Sequence, residues 1–168
     1  MTGAGANYPD QNIWHSRLAT LEVMGLLILA VLLVRLAPMS RWRSSLGDVY
    51  AGGAGDMPVV TADGMRHATA VARRVVRAAH RLPREPKCLA QAMALQWLLR
   101  RGGFHPQLVL AMDRQDRSAE HGYHAWVELG GTMLIGNCDR DNFHIVLGFI
   151  PAAPCPLDHI STSAPHAR

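Results

Sequence analysis

The hydrophobic pattern changes character several times along the chain, and each change marks an element. From Leu18 to Met39 the chain is apolar almost throughout, with an uninterrupted run Val23–Val34 bounded by Glu22 and Arg35. This predicts a hydrophobic helix over about residues 18–38. The uninterrupted run spans only about 18 Å at 1.5 Å per residue, against roughly 30 Å of hydrocarbon in a bilayer. A buried or partner-docking helix therefore ranks first, an interfacial membrane helix second and a membrane span third. Arg41, Trp42 and Arg43, just after Pro38, suit a headgroup boundary, so residues 18–43 are the segment for any membrane-surface contact. Residues 47–60 are rich in glycine and read as a linker.

A helical period then sets in. Thr61 or Asp63 can cap a helix reaching about Leu82, with Met65, Ala68, Ala72, Val75, Ala79 and Leu82 as its buried stripe. Pro83 and Pro86 break it, because proline lacks the amide hydrogen and restricts the residue before it. A second helix begins near Cys88, presents the broad apolar sector Leu89, Ala92, Met93, Leu95, Leu98 and Leu99, and stops at Gly102-Gly103. Beyond it the pattern favours strands. Pro106–Met112, Tyr123–Leu129, Thr132–Asn137 and Phe143–Ile150 read as β-structure, with Asp113–Gly122 as a charged loop. Gly130-Gly131 between two of them is a two-residue hairpin signal. The class is α+β, with a domain over 61–150, an N-terminal segment 1–46 and a loose proline-containing tail 151–168.

Pairing Leu129 with Thr132 sets a hairpin register. Glu128 then faces Met133, Val127 faces Leu134, Trp126 faces Ile135, Ala125 faces Gly136 and His124 faces Asn137. His124, Trp126 and Glu128 share one face, and Ala125, Val127 and Leu129 the other.

Charge and cysteine content narrow the function classes. The net charge of +4 is concentrated in the arginines of the two helices, which read first as a solvated face and second as a surface for an acidic peptide, phosphate or anionic lipid. With 6% aromatics, and none interleaved in the basic run, nucleic acid is not an expected partner. Cys88, Cys138 and Cys155 are odd in number and lack CxxC spacing, which argues against a disulfide framework or structural zinc and for a cytoplasmic setting. Cys155 and His144 have no partner spacing. The glycine-rich linker is followed by no Gly-Lys-Ser/Thr, so no nucleotide or other cofactor site is visible.

Against this background Cys88 stands out. In the first turn of a helix, its thiol faces unpaired amides and the positive end of the macrodipole, both of which favour thiolate. A cysteine there, a strand histidine (His124) and an Asn or Asp across the hairpin (Asn137 or Asp139) form the nucleophile, base and orienter of thiol acyl transfer. The Cys88 amide is a candidate oxyanion donor.

Cys88–Gly103 (CLAQAMALQWLLRRGG), Leu108–Met112 (LVLAM) and His124–Glu128 (HAWVE) together resemble the transglutaminase-like, papain-like cysteine peptidases of lasso peptide biosynthesis. The likeness extends over roughly residues 18–150. It implies a peptidase core with the nucleophile at a helix N-terminus packed on a small antiparallel sheet, preceded by a hydrophobic helix. It implies Cys88 as nucleophile and His124 as base, in an enzyme that removes the leader from a ribosomally made precursor. The family's aspartate is displaced in this chain, leaving Asn137 or Asp139 for the third role. With no room before Leu18 for a leader-recognition domain, the resemblance is to the split, peptidase-only form. That form implies a separate leader-binding protein and an asparagine-synthetase-like cyclase as partners. It also implies ATP dependence, to which no residue here can be assigned. Another Cys-His acyl transferase or amidase, or a non-enzymatic docking protein, are the alternatives.

Overall fold

Thr61 shows how directly the sequence sets the elements: its Oγ1 accepts from the Gly64 amide at 3.1 Å and starts a helix over Ala62–Ala79. The computed structural model describes residues 11–50, 59–115 and 122–151, without the side chains of 11–17. Helix α1 covers Gln11–Leu36 and is followed by a short helix α2, Met39–Trp42. Strand β1 is Asp48–Tyr50, α3 is Ala62–Ala79 and α4 is Cys88–Arg101. Strands β2 (Gln107–Asp113), β3 (Tyr123–Leu129), β4 (Thr132–Ile135) and β5 (Phe143–Ile150) complete one antiparallel sheet, in the order β1-β5-β2-β3-β4.

Helices α3 and α4 lie on one face of that sheet, and α1 packs on both helices. Leu108 is opposite both Val127 and Phe149, and these three residues are fully buried in one cluster with Leu95, Leu99, Val75 and Leu27. On α3 the buried residues are Ala68, Ala72, Val75, Ala78 and Ala79. Met65, expected in that stripe, packs against the cluster partly buried, as does Leu82, which lies beyond the end of the helix at Ala79 and not within it as expected. The other sheet face carries a smaller cluster of Val109, Ala111 and Trp126, with Met133, Cys138 and Phe143 against it.

Gln96 ties the two layers together. It is fully buried in α4, and its Nε2 lies 3.1 Å from the Leu46 carbonyl, 3.3 Å from that of Pro106 and 3.4 Å from that of Phe149. A helix interior thus anchors the approach to β1, the start of β2 and the end of β5.

Three expectations are corrected. The helix expected from about residue 18 already begins at Gln11. The segment read as a linker from Gly47 contains strand β1, which pairs Asp48–Tyr50 with Gly148–Ile150; the remainder of that linker, residues 51–58, lies outside the described residues, as do 152–168 with Cys155. The hairpin register holds at Leu129/Thr132 and Glu128/Met133, but a bulge then sets Val127 opposite Ile135 instead of Leu134. The cause lies at Gly136. With φ of +100°, it sits so close to β3 that a Cβ there would fall 2.5 Å from the Trp126 Cβ.

The described residues include one helical stretch, Leu18–Leu36, long and apolar enough to cross a membrane. Its middle is packed into the domain: Val23, Leu27 and Ala30 are buried.

Candidate active site

The two layers meet at one edge. Strand β4 stops at Ile135 and pairs only with the C-terminal part of β3, so β3 from Tyr123 to Trp126 is not covered by β4. The N-terminus of α4 occupies that edge. Pro86 and the extended Lys87 (φ −61°, ψ 160°) bring the chain in, and Gln91 holds the turn by donating from Nε2 to the Pro86 carbonyl at 2.8 Å. Cys88 is the first residue of the helix, so its amide and that of Leu89 have no intrahelical carbonyl to bind.

At this position Cys88 is hydrogen-bonded to His124. Burial pushes the thiol up, but the His124 hydrogen bond and charge, and the amides of Ala125 and Leu89, together hold it below its ordinary value. The Ala125 amide is a sheet-edge donor given to sulfur where β4 ends. His124 is raised, chiefly by its hydrogen bond to Cys88; burial opposes this, and the Gly136 carbonyl and the thiolate charge reinforce it. Both shifts favour the charged form of the pair, thiolate against imidazolium.

The ring is fixed from its other side. His124 Nε2 lies 2.6 Å from the Gly136 carbonyl oxygen, and a carbonyl can only accept, so Nε2 carries hydrogen and Nδ1 is left for the thiol. Phe143 stacks on the imidazole, with ring centroids 5.3 Å apart and planes 27° from parallel. Neither Asn137 nor Asp139 is hydrogen-bonded to the ring. Asn137 is exposed, and Asp139 caps the turn at Arg140–Asn142, accepting from the Asp141 amide at 3.2 Å. The bulge is the physical reason: it brings the Gly136 main chain, not the Asn137 side chain, to His124.

Glu128 belongs to the support of this edge and had no assigned role from sequence. It is 6% exposed, accepts from Trp126 Nε1 at 2.5 Å and pairs with Arg140 Nε at 3.0 Å. Arg140 also donates to the Gly131 carbonyl at 3.1 Å. The bracket ties the chain beyond Gly136 back to β3. Its sequence signal was the alternation His124, Trp126, Glu128, which put a carboxylate on the same sheet face as two aromatic rings. Cys138 packs on the Trp126 cluster, and burial raises its thiol. Among the described residues no three His, Cys, Asp or Glu side chains converge to hold a metal.

A helix-start thiol held below its ordinary value against a strand imidazole, on an antiparallel sheet, is suited to acyl transfer through a thioester. The family model described as Transglutaminase-like superfamily matches residues 27–148. The chain belongs to the transglutaminase-like superfamily. The match takes in α1 from Leu27, both helices of the domain, Cys88, His124 and almost all of the sheet. Members of this superfamily are typically cysteine peptidases or acyltransferases. Searches of curated proteins and of solved structures returned no match. For a transglutaminase-like domain, the main-chain partner of His124 is the local feature that distinguishes this site from the side-chain triad expected at Asn137 or Asp139.

Proposed function

We propose that the protein is a cysteine peptidase that removes the leader from a ribosomally synthesised, lasso-type precursor in the cytoplasm, together with a separate leader-binding protein and an asparagine-synthetase-like cyclase. The observation that carries the enzymatic part is the Cys88–His124 hydrogen bond, with the thiol lowered and the imidazole raised. The motif resemblance at Cys88–Gly103 and His124–Glu128 supports the precursor as substrate.

The chemistry follows from the atoms present. Cys88 Sγ attacks the scissile carbonyl carbon, and the carbonyl oxygen becomes an oxyanion in reach of the Cys88 amide. Collapse breaks the C–N bond while His124 Nδ1–H protonates the leaving amine, leaving a thioester and a neutral imidazole. Neutral His124 then takes a proton from water. The hydroxide attacks the thioester, and the sulfur departs as thiolate beside a restored imidazolium. Throughout, the Gly136 carbonyl holds Nε2–H and keeps Nδ1 aimed at the reacting centre.

The test is cleavage of a precursor in the presence of its leader-binding protein by wild type, Cys88→Ala and His124→Ala. Wild type releases the leader, Cys88→Ala does not, and His124→Ala is slowed by roughly 10²–10⁴-fold. Undiminished cleavage by Cys88→Ala contradicts the proposal. Transfer of an added amine onto the substrate without leader release reassigns the same thioester chemistry to acyl transfer.

A further inference from the structure

Helix α1 is apolar on two opposite sides, and the fold uses only one of them. Val23, Leu27 and Ala30 are turned into the domain and buried. At about 100° per residue, Leu18, Leu21, Ile28, Leu29, Leu32 and Leu36 fall on the opposite side, within an arc of about 100°. They are between 45% and 78% exposed. The stripe is aliphatic, carries no hydrogen-bonding side chain, and runs about 27 Å at 1.5 Å per residue.

Its surroundings are cationic. Arg35 closes the stripe, and Arg41 and Arg43 are exposed just beyond it; none of the three forms an ion pair among the described residues. Alongside lies a groove of about 610 Å³ with Leu26, Leu29, Leu33, Trp42 and Trp97 in its walls and Arg41, Arg100 and Arg101 at its rim. Arg101 is paired with Glu22 and Arg100 bonds the Ser45 carbonyl, while Arg41 forms no ion pair among the described residues. Trp42, suited by sequence to a headgroup boundary, is instead turned inward, with Nε1 donating to the Ala37 carbonyl at 3.3 Å. The cationic end is therefore made by arginine alone.

We infer that the outer stripe of α1, with Arg35, Arg41 and Arg43, docks the protein on the surface of an anionic phospholipid bilayer. Unpaired cations beside a purely aliphatic face complement anionic headgroups over acyl chains. The domain serves as the polar side that an isolated interfacial helix would need of its own. A span is incompatible with this packing, because burying the middle of α1 against α3 and α4 would carry those helices into hydrocarbon. The inference is independent of the peptidase reading.

The experiment is co-flotation of the full chain with vesicles of phosphatidylcholine alone and of equal parts phosphatidylcholine and phosphatidylglycerol. Wild type floats with the mixed vesicles, is released by high salt, and binds phosphatidylcholine weakly. Leu29→Gln with Leu32→Gln, at exposed positions that leave the core intact, removes binding while circular dichroism is unchanged. Arg41→Glu with Arg43→Glu weakens it at least fivefold per arginine, on the scale of one cation at an anionic surface. Cys88→Ala binds as wild type does. Failure of wild type to float with mixed vesicles overturns the inference, as does undiminished binding by the double Gln variant. Retention through an alkaline carbonate wash would overturn it in favour of a span. A dimer split by the double Gln variant, with no flotation, would assign the stripe to a second copy of the chain.

Discussion

The two faces of the sheet are built on different principles. The inner face, Leu108, Val127, Leu129 and Phe149 against α1, α3 and α4, is apolar and close-packed. The outer face holds Trp126, Phe143, His124 and the buried Glu128, joined by ring contacts and charge-assisted hydrogen bonds. The inner face supplies stability through area removed from water, which has no direction. The outer face supplies direction, because hydrogen bonds fix where a ring nitrogen points. Cys88 comes from the helix layer and His124 from the outer face, and they meet where β4 ends. A site at such a seam draws rigidity from one side and orientation from the other.

Substitutions on the two sides should separate these contributions. The largest effect on rate is expected from His124→Ala, a loss of roughly 10²–10⁴-fold in turnover with little change in the unfolding midpoint. Leu95→Ala, fully buried on the inner side, should do the reverse. It costs about 2–5 kcal/mol of stability by denaturant unfolding, while turnover per folded molecule is retained. Gly136→Ala should blur the distinction, since its Cβ would collide with Trp126 and displace the carbonyl that aims His124. Misplacement on the order of 1 Å can cost about 10²-fold in rate, with a fall in thermal midpoint alongside. The smallest effects belong to Asn137→Ala and Asp139→Ala. Asn137→Ala should leave rate and pH profile unchanged, and Asp139→Ala should cost at most about 1 kcal/mol through its turn cap. A large rate loss in either would restore a side-chain orienter.

What could be read from the sequence was local. Thr61 starts α3, Pro86 precedes the start of α4 and Gly102-Gly103 ends it, all through short-range chemistry, and Gly130-Gly131, both with positive φ, make the hairpin turn. Strand β5 was likewise legible in its apolar run Ile145–Ile150. The bulge was not, because it depends on how closely Gly136 approaches Trp126, a contact that pattern and spacing do not encode. One shifted residue set a main-chain carbonyl, that of Gly136, against the ring where the expected register had set Asn137. Strand β1 was hidden in glycine-rich surroundings, being only Asp48–Tyr50 and paired by one neighbour. Gln96 was hidden for another reason: a glutamine within a helix resembles a solvated residue until three distant carbonyls converge on it.

The pH dependence follows from the same pairing. Cys88 is lowered and His124 is raised, so both shifts favour the ion pair over the neutral pair. Activity should rise with pH as Cys88 loses its proton, with a midpoint below the ordinary 9.0, and fall as His124 loses its own, above the ordinary 6.5. The most direct test is the pH profile of Cys88 alkylation by iodoacetamide, with the modified residue located by mass spectrometry, in wild type and in His124→Ala. Wild type should be alkylated with a midpoint below 9.0. In His124→Ala the midpoint should move upward, because burial still raises the thiol and its largest opposing partner is gone. A wild-type midpoint at or above 9.0, or one that His124→Ala leaves in place, would contradict the assignment of this pair as the chemical centre of the protein.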